Sequence, residues 1–527
     1  MLYFNYILIG EQKMQKEQIP QNDLSEFEIK VEKVKKLEAN GEKAYKAKYN
    51  KTHEIHSLDK LELGTHVSVA GRMIFKRTFG KLIFARLYAI GDNFDIDFTT
   101  PLRTSVQISL NLSVVGEEPL KYFKEFCDVG DFIGCEGELI KTQTGELTVQ
   151  VEKFTLLSKA LRGLPEKFHG LTDTELRYRQ RYLDIVSNEK SRNAVLVRFK
   201  VTQFLREFYI KHGFLEVETP VLQNAVGGAL AKPFTTHHNA LDLDMNLRIS
   251  PETFLKRTIA CGFDKVFEIA KDFRNEGLCV DKLQEFTMLE SYAAYWDFED
   301  SIKFYTELFR EVCYYVFGKY EFVSQGRTIV LPEQFPRMDY VGTLNNILGF
   351  NVLDITDVDE FKNLIRKKNL LEEYELTDQF TVGGLIDLLY KRKMRPNIVE
   401  PTILYNYPNV VPLVRYNDND DRLIEMFQLV IDGQEMIKGY SELVNPIQQK
   451  HGFEEQQKAK QRGDAEAMDY DSEYVLAMEH GFPPISGIGF GIDVFIYHLL
   501  DLENIRDTIL FPITKPENKK EGDNEKN

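Results

Sequence analysis

The chain has 527 residues, of which 43% are hydrophobic and 12% aromatic, and it carries a net charge of −16. This length and composition are typical of a globular protein with two or three well-packed domains, and they exclude an intrinsically disordered chain. Because the net charge is negative, bulk electrostatic attraction cannot hold a nucleic acid, so any RNA partner needs a local basic surface.

The cysteines favour a reducing compartment. They are Cys127, Cys135, Cys261, Cys279 and Cys313. They form no CxxC pair, so we expect neither a zinc site nor a disulfide framework.

The chain has no run of about 18 apolar residues, so we expect no membrane-spanning segment. The apolar start MLYFNYILIG lacks a basic segment and a small-residue cleavage site. We interpret it as a disordered start, with an organellar targeting segment as the alternative.

The N-terminal extension, residues 1–60, is polar and charged and contains one helical pattern. Between Leu24 and Gly41 the apolar residues recur at helical spacing, and the pattern ends at a glycine. This spacing predicts a single helix. A solvated surface helix is the favoured interpretation, although its lysines could also contact RNA.

Residues 61–160 predict a small β-barrel. Five segments rich in β-branched and aromatic residues are separated by Gly or Asp turns: HVSVAGRMIF, KLIFARLYAI, SVQISL, DFIGCEGELI and GELTVQVEKFTLL. Five such strands are typical of the oligonucleotide-binding (OB) fold, which stacks bases on aromatic side chains within a basic surround. Phe79, Phe84, Arg72, Lys76 and Arg77 could supply these groups. The alternative is a purely structural barrel with its aromatic residues in the core, and the strand pattern does not choose between the two.

Residues 161–190 predict a charged linker followed by an arginine-rich helix, and residues 191–515 mix helices with separated strands. The second region has no regular βαβ alternation and no Walker-type phosphate loop. The repeat GIGFG at Gly487–Gly491 fits tight backbone packing as well as ligand contact. Residues 516–527 are polar and predict a disordered tail.

Several long segments resemble the lysyl-tRNA synthetases of bacteria and organelles, in family order and spacing. They include SKALRGLPEKFHGLTDTELRYRQRYLDIVSNEKSRN, GFLEVETPVL, GGALAKPFTTHHNALDLDMNLRISPE, GFDKVFEIAKDFRNEG, EFTMLESYAAY and IRDTILFP. The resemblance implies an α+β fold: the antiparallel sheet of a class II synthetase with flanking helices, preceded by an OB-fold barrel that reads the anticodon. It also implies a homodimer, with GFLEVETP and Pro220 at the interface.

The resemblance further implies a two-step reaction in which lysine is activated with ATP and then transferred to tRNA(Lys), with Mg²⁺ as cofactor. Such chemistry needs no protein nucleophile, because positioning and charge stabilisation of the phosphoryl transition state carry it. The site must then supply cations for phosphates, carboxylates for magnesium and anions for the lysine ammonium groups. The expected location is the cytoplasm, with the mitochondrial matrix as the alternative.

The resemblance assigns site residues by motif position. The lysine-binding residues are Gly228, Glu252, Arg274, Glu290, Tyr292, Tyr440 and Glu442. The ATP-binding residues are Arg274, Glu276, Lys282, Phe286 and Glu435, of which Arg274 and Glu276 are also catalytic. Glu435 and Glu442 are the expected metal ligands, and Phe84 and Glu146 the expected anticodon contacts. Asp95 stands where the family tends to carry glutamine.

The chain departs from the family pattern mainly at ATP and magnesium positions. Val494 replaces an arginine that stacks on adenine, and Lys282 replaces a histidine that meets the triphosphate. Met426 and Gln428 replace the arginine and the magnesium-ligating glutamate of an RFE segment. Lys438 replaces an asparagine of the lysine pocket, where a cation repels the substrate ammonium unless it pairs with a pocket acid.

Three hypotheses follow. The first is an active lysine–tRNA ligase with an unusual ATP site, and the second is a weakened or inactive paralogue that keeps tRNA, lysine or protein binding. The resemblance alone favours the first, whereas the clustered substitutions favour the second, because each lost charged contact costs about 2.7–4 kcal/mol in the transition state. The third hypothesis, ligation of lysine to a different acceptor, is disfavoured because such an enzyme has no use for an anticodon-binding barrel.

Overall fold

The fold was obtained as a computed structural model, which describes residues 25–91, 102–165, 171–225, 227–229, 231–277, 279–376, 381–461 and 468–516. The chain divides into two compact units, residues 1–172 and 173–527. None of the helices formed by the described residues combines the length and the apolar character needed to cross a lipid bilayer.

The described residues of the first unit form three α-helices and five strands. They are α1 (Glu26–Ala39), β1 (His66–Phe79), β2 (Leu82–Tyr88), β3 (Ser105–Asn111), α2 (Leu112–Val115), α3 (Glu117–Phe126), β4 (Phe132–Lys141) and β5 (Leu147–Ser158). The predicted N-terminal helix is confirmed as α1. It starts at a capping box in which Ser25 and Glu28 satisfy each other's backbone N–H groups.

The five strands close into a barrel in the order β1-β2-β3-β5-β4. Strands β3 and β5 pair in parallel, and the other neighbours are antiparallel. Alternate residues such as Val67, Val69, Ile108 and Val149 point inward and are fully buried, because successive strand side chains face opposite sides of a sheet. The predicted OB-fold barrel is confirmed.

The second unit contains eleven helices within its described residues. They are α4 (Thr174–Arg179), α5 (Arg181–Ser187), α6 (Glu189–Lys211), α7 (Glu252–Ala260), α8 (Phe298–Phe317), α9 (Tyr340–Leu348), α10 (Val358–Lys367), α11 (Val382–Leu389), α12 (Pro446–Gln461), α13 (Ser472–Glu479) and α14 (Ile492–Leu499).

Fifteen strands accompany these helices in the part of the second unit that is described. They are β6 (Leu215–Glu216), β7 (Leu222–Gln223), β8 (Thr235–His238), β9 (Leu243–Leu247), β10 (Lys265–Phe273), β11 (Glu285–Ala294), β12 (Glu321–Ser324), β13 (Arg327–Val330), β14 (Arg337–Asp339), β15 (Thr402–Tyr405), β16 (Tyr407–Pro408), β17 (Leu423–Ile424), β18 (Met426–Ile431), β19 (Gln434–Ser441) and β20 (Ile485–Gly491).

One large sheet organises the second unit. Its eight strands follow the order β14-β15-β18-β19-β20-β11-β10-β6. The pairs at the two edges, β14 with β15 and β6 with β10, are parallel, and the inner pairs are antiparallel. Helices α7, α8 and α14 pack against the inner strands. This arrangement confirms the predicted antiparallel sheet with flanking helices.

The arginine-rich segment after residue 172 belongs to the second unit. Arg181 is fully buried, forms an ion pair with Asp184 and donates to the Asp507 carbonyl at 2.7 Å. Arg177 bonds the carboxylates of Asp184 and Asp507 at 3.1 Å each. These arginines therefore act as internal counter-charges that fix α4 and α5. The predicted linker spans residues 161–190, and its part after residue 172 lies within this unit.

Helices α9–α11 form a separate apolar core beside the outer strands β15 and β18. Leu344, Phe361, Ile365, Leu385 and Leu389 are fully buried in it. Met426 and Val430 of β18 are buried in the same core. The core therefore fixes the position of β18 and of its hairpin partner β19.

Candidate active site

A cavity of about 330 Å³ opens beside the inner strands of the large sheet. Six of the seven predicted lysine-binding residues line it: Gly228, Glu252, Arg274, Glu290, Tyr292 and Tyr440. The seventh, Glu442, is buried at its inner end, where its carboxylate forms an ion pair with Lys256. The structure thus brings the predicted residues together from distant parts of the chain.

Strand alternation explains which side chains share this cavity. Glu290 and Tyr292 are two positions apart on β11, and Lys438 and Tyr440 are two positions apart on β19. Residues at this spacing point to the same face of a sheet. Glu252 comes from outside the sheet, at the first position of α7.

Glycines of β20 make the floor of the cavity. This strand lies between β11 and β19, and Gly487 and Gly489 pair with Tyr292 and Glu290 on β11. A Cβ on Gly487 would lie 2.3 Å from the Tyr292 ring, so any side chain there would displace it. The structure therefore shows the close packing of the GIGFG repeat and places Gly489 on the cavity wall, while its contact with a ligand stays a prediction.

Gly228 closes the side of the cavity with its backbone. Its φ is +85°, and a Cβ would lie 2.8 Å from Ser250 Oγ and from the Cβ of Glu252. Glycine is required at such a position, because the Cβ of any other residue is sterically strained at positive φ. The close approach of this loop supports the predicted backbone contact with a substrate.

The inner end of the cavity is acidic. Glu252, Glu290 and Glu442 are 3%, 5% and 2% exposed. Glu290 accepts hydrogen bonds from Ser250 Oγ at 2.7 Å and from the Tyr292 hydroxyl at 2.9 Å. Burial of ionised carboxylates is expensive unless they are paired. These glutamates lie on ordered elements and are not the solvated loop carboxylates that single-residue reasoning would favour.

Lys256 is a site residue that sequence reasoning missed. It is fully buried one turn after Glu252, donates to the Glu252 carboxylate at 2.6 Å and forms an ion pair with Glu442. Burial alone would lower its pKa, but the two carboxylates outweigh burial and raise the pKa above the ordinary lysine value. Lys256 is therefore an ammonium ion. The signal available in the sequence was its i,i+4 spacing from Glu252.

Three buried carboxylates lie at this end beside one buried ammonium, that of Lys256, which pairs with two of them, Glu252 and Glu442. Burial and the neighbouring acids raise the pKa of Glu290 well above its ordinary value, and burial likewise raises the pKa of Glu442. Glu442 Oε1 is buried without a hydrogen-bond partner among the described residues. Buried polar atoms are normally satisfied. The inner end is therefore short of positive charge and suits a cationic ligand group.

The other end of the cavity carries Arg274. Its guanidinium lies 5.0 Å from the centroid of the Phe286 ring, and its two contacts with the Ile249 carbonyl are long, at 3.4 Å. Much of its donor capacity thus remains for an anionic ligand. Glu276 lies in the same loop and pairs with Lys282 at 3.3 Å.

Comparison with known proteins identifies this arrangement. The family model described as tRNA synthetases class II (D, K and N) matches residues 173–515. The lysine–tRNA ligase of Lactococcus lactis subsp. lactis is 39% identical over 501 residues, which cover 93% of this chain and 98% of that protein. The chain belongs to the lysyl-tRNA synthetase family.

Two further proteins named lysine–tRNA ligase are similar to this chain over most of its length. The one from Aquifex aeolicus is 41% identical over 458 residues, covering 86% of this chain and 74% of that protein. The one from Aromatoleum aromaticum is 42% identical over 453 residues, covering 86% and 87% respectively.

The predicted magnesium position is occupied by an amide–carboxylate pair, unlike the expected lysyl-tRNA synthetase pattern. Gln428 Nε2 donates to Glu435 Oε2 at 2.7 Å, and Gln428 Oε1 accepts from the Tyr407 hydroxyl at 2.7 Å and from Tyr390 at 3.4 Å. Glu442 is paired with Lys256 instead. Among the described residues, no group of three or more His, Cys, Asp or Glu side chains is placed to hold a metal. This donor set does not fit a magnesium ion held by the protein.

Of two other departures, Met426 has a local structural reason, whereas nothing in the structure explains Val494. Met426 is 3% exposed and packs into the apolar core of α9–α11, where a guanidinium would be costly to bury. Val494 lies half-buried in the first turn of α14, next to Asp493. The neighbouring cation Arg198 forms an ion pair with Asp493 and donates to Thr287 Oγ1 at 2.8 Å. Arg198 is therefore committed to the scaffold and does not replace the expected arginine.

On the barrel, the predicted anticodon residue Phe84 lies on β2, and Glu146 immediately precedes β5. Phe84 is half-buried and packs edge-to-face with Phe79, with ring centroids 6.3 Å apart. Arg77 lies over the Phe79 ring at 5.0 Å. Glu146 accepts a hydrogen bond from Arg86 at 2.6 Å. The two residues stay predictions as anticodon contacts, and Asp95 lies outside the described residues.

Lys76 does not belong to a basic RNA-binding surround. Its ammonium donates to the carbonyls of Phe123 and Lys124 at 3.0 and 3.2 Å and to that of Cys127. These carbonyls lie at the C-terminal end of α3. Unpaired C=O groups and the helix dipole favour a cation at such an end. Of the two alternatives that the sequence left open, the structural one therefore fits Lys76; the strand pattern does not show which barrel edge a helix covers.

Proposed function

We propose that this chain activates lysine with ATP and transfers it to tRNA(Lys). The observation that carries the proposal is the charge pattern of the cavity. Three buried carboxylates lie at the inner end with a single ammonium, which pairs with two of them, and Arg274 lines the outer end. Lysine has two ammonium groups and one carboxylate, so it supplies the charges that both ends lack.

The ε-ammonium and the carboxylate of lysine each have partners of opposite charge in this proposal. Glu290 and Glu442 bind the ε-ammonium through charge-assisted hydrogen bonds, and Tyr292 orients it. Arg274 binds the substrate carboxylate together with the α-phosphate of ATP. The unpaired Oε1 of Glu442 supports this orientation, because a substrate ammonium satisfies it.

Positioning carries the chemistry. A lysine carboxylate oxygen attacks the α-phosphorus of ATP, the bond to the bridging oxygen breaks, and pyrophosphate leaves. The terminal ribose hydroxyl of the tRNA then attacks the carbonyl carbon of the adenylate, loses its proton, and AMP leaves. Arg274 offsets the charge that develops on the phosphoryl oxygens. Phe286 offers a stacking face for adenine, and Glu276 orients it.

The wider assembly follows the family plan in this proposal. Residues 61–160 form the anticodon-binding domain, with Phe84 and Glu146 contacting bases, and residues 191–515 form the catalytic domain. A homodimer is supported by large apolar side chains left exposed on α6 and β6: Phe199, Ile210 and Leu215 are 46%, 55% and 52% exposed. The free thiols support a reducing compartment, for which we propose the cytoplasm.

Lysine-dependent exchange of pyrophosphate into ATP tests this function. We expect exchange with lysine and none with norleucine, which has the same chain length without the ε-ammonium. Glu442→Gln should lower kcat/KM for lysine at least about thirtyfold, because losing one buried charge partner costs about 2 kcal/mol or more. The control is Glu479→Gln, an exposed glutamate on α13 that should leave the rate unchanged.

Equal exchange with lysine and norleucine would show that the acidic end does not select the ammonium. Absence of exchange, together with measurable tRNA binding, would support the weakened paralogue instead. Thermal melting of each variant separates a specific loss of exchange from a loss of folding.

A further inference from the structure

Two side chains at the mouth of the cavity form a cross-strand pair. Gln428 on β18 and Lys438 on β19 are direct antiparallel partners, so their side chains point to the same face of the sheet. Lys438 lines the cavity together with Glu435 and Arg274. A register shift between Leu429 and Val430 inserts one extra residue in β19, which lets Glu435 face the cavity as well.

The ammonium of Lys438 is available to a ligand. Lys438 is half-buried, and within the described ranges of the chain its ammonium forms no ion pair or hydrogen bond. A partly buried lysine beside a cavity pays a desolvation cost that an anionic ligand would offset. The adjacent carboxylate, Glu435, is held instead by the Gln428 amide at 2.7 Å.

The same amide opposes a metal ion. Its N–H group donates towards Glu435, whereas a divalent cation there would need an oxygen lone pair from residue 428. The amide oxygen accepts hydrogen bonds from Tyr407 and Tyr390, so turning the amide round would place nitrogen against two hydroxyls and oxygen against a carboxylate. The hydrogen-bond network therefore fixes an arrangement without a metal-ligating group at Gln428.

The charges of the pair change in a compensating way. The family resemblance leads us to expect glutamate at position 428 and asparagine at position 438, whereas this chain has glutamine and lysine. The first change removes a negative charge, and the second adds a positive charge. Together they shift the local charge by the amount that one divalent cation would supply, at two positions that face each other across one strand pair.

We propose that the Lys438 ammonium replaces a resident magnesium ion as the counter-charge of the nucleotide α-phosphate, with Gln428 holding Glu435 in place of that metal. The inference rests on the proposed function, because it concerns the nucleotide used in lysine activation. Any magnesium that the reaction uses then arrives as the ATP complex and is not held between residues 428 and 435. Lys438 and Arg274 approach the phosphate from the two sides of the glycine floor.

Binding of AMP and adenosine to the full chain in EDTA tests the role of Lys438, because the two ligands differ by one phosphate. We expect the native protein to bind AMP about tenfold or more tightly than adenosine, as a charge-assisted contact with phosphate should provide. Lys438→Gln should remove most of this preference. Lys450→Gln, which changes an exposed lysine on α12, should keep it. Preservation of the preference in Lys438→Gln overturns the proposal.

Manganese binding tests the absence of a resident metal site. With Mn²⁺ as an electron paramagnetic resonance probe, in the presence of lysine and AMP, we expect no ion bound at submillimolar concentration in the native chain. The double variant Gln428→Glu/Lys438→Asn should bind one. One Mn²⁺ per native chain, lost in Glu435→Gln, overturns the proposal. If the double variant does not fold, the native chain and Lys438→Gln still decide the question.

Pyrophosphate exchange on the same preparation separates this inference from the proposed function. Exchange by a native chain that also holds Mn²⁺ through Glu435 overturns the inference and leaves the function standing. A metal-free preference for AMP that Lys438→Gln removes, without lysine-dependent exchange, supports the phosphate contact while the proposed function fails.

Discussion

Replacing Lys256 with methionine should destabilise the second unit by about 3–5 kcal/mol, because removing one partner of a buried ion pair leaves uncompensated charge. The magnitude follows from the surroundings of the ammonium. Lys256 is fully buried between Glu252 and Glu442, which are themselves only 3% and 2% exposed. Methionine keeps most of the apolar stem, so the lost charge and not a new cavity should dominate the effect.

Urea unfolding followed by tryptophan fluorescence measures this loss, because the single tryptophan of the chain, Trp296, lies in the second unit. The loss should be larger at pH 8 than at pH 5.5. Burial already raises the pKa of Glu442, and Lys256 opposes that rise, so in the variant the pKa of Glu442 should lie further above its unfolded value. A raised carboxyl pKa contributes stability at low pH and loses it as pH rises through the folded pKa.

The control variant is Lys303→Met, since the Lys303 side chain on α8 is 75% exposed. Surface substitutions of this kind usually change stability by less than about 0.5 kcal/mol. A loss below about 1 kcal/mol for Lys256→Met, or the same loss at both pH values, would refute the role of Lys256 as the counter-charge of the acidic end.

Three more outcomes follow from other parts of the structure. Gly487→Ala should raise KM for lysine in pyrophosphate exchange and destabilise the second unit by about 1–3 kcal/mol, because its Cβ would meet the Tyr292 ring at 2.3 Å; unchanged kinetics would contradict this packing. Burial lowers the pKa of His498 to about 4, so stability should fall as pH drops from 6.5 towards 4. His498→Gln should remove about 2 kcal/mol of that fall in urea titrations at pH 7 and pH 4.5, and an unchanged pH dependence would count against it. Phe84→Ala should lower kcat/KM for tRNA by about five- to a hundredfold, since stacking of one base contributes roughly 1–3 kcal/mol; aminoacylation at native efficiency would exclude Phe84 as an anticodon contact.

The sequence contained enough information to predict the fold. Runs of β-branched and aromatic residues broken by Gly or Asp turns predicted the barrel, and they do form its five strands. In the second unit, the family resemblance predicted an antiparallel sheet, and its inner strands are antiparallel. The barrel strands depend on local residue patterns, which are visible along the chain.

The candidate site was only partly predictable, because burial and partners depend on tertiary contacts. Lys256 is a buried counter-charge, whereas the Lys76 ammonium donates to carbonyls at the C-terminal end of α3. Nothing in the residue types distinguishes these two lysines. The pairing of Gln428 with Glu435 depends on a strand hairpin and an inserted residue. Gln428 and Lys438 face each other because of the pairing register of β18 and β19, and this register is not visible in the sequence.

Aminoacylation of tRNA(Lys) by the purified full-length chain, followed by separation of charged from uncharged tRNA, tests the proposed activity most directly. The acidic inner end and the cationic outer end of the cavity predict that lysyl-tRNA accumulates with lysine and ATP, and that norleucine does not replace lysine. If the chain binds tRNA(Lys) with native affinity but forms no lysyl-tRNA at any lysine or ATP concentration, the proposed activity is contradicted.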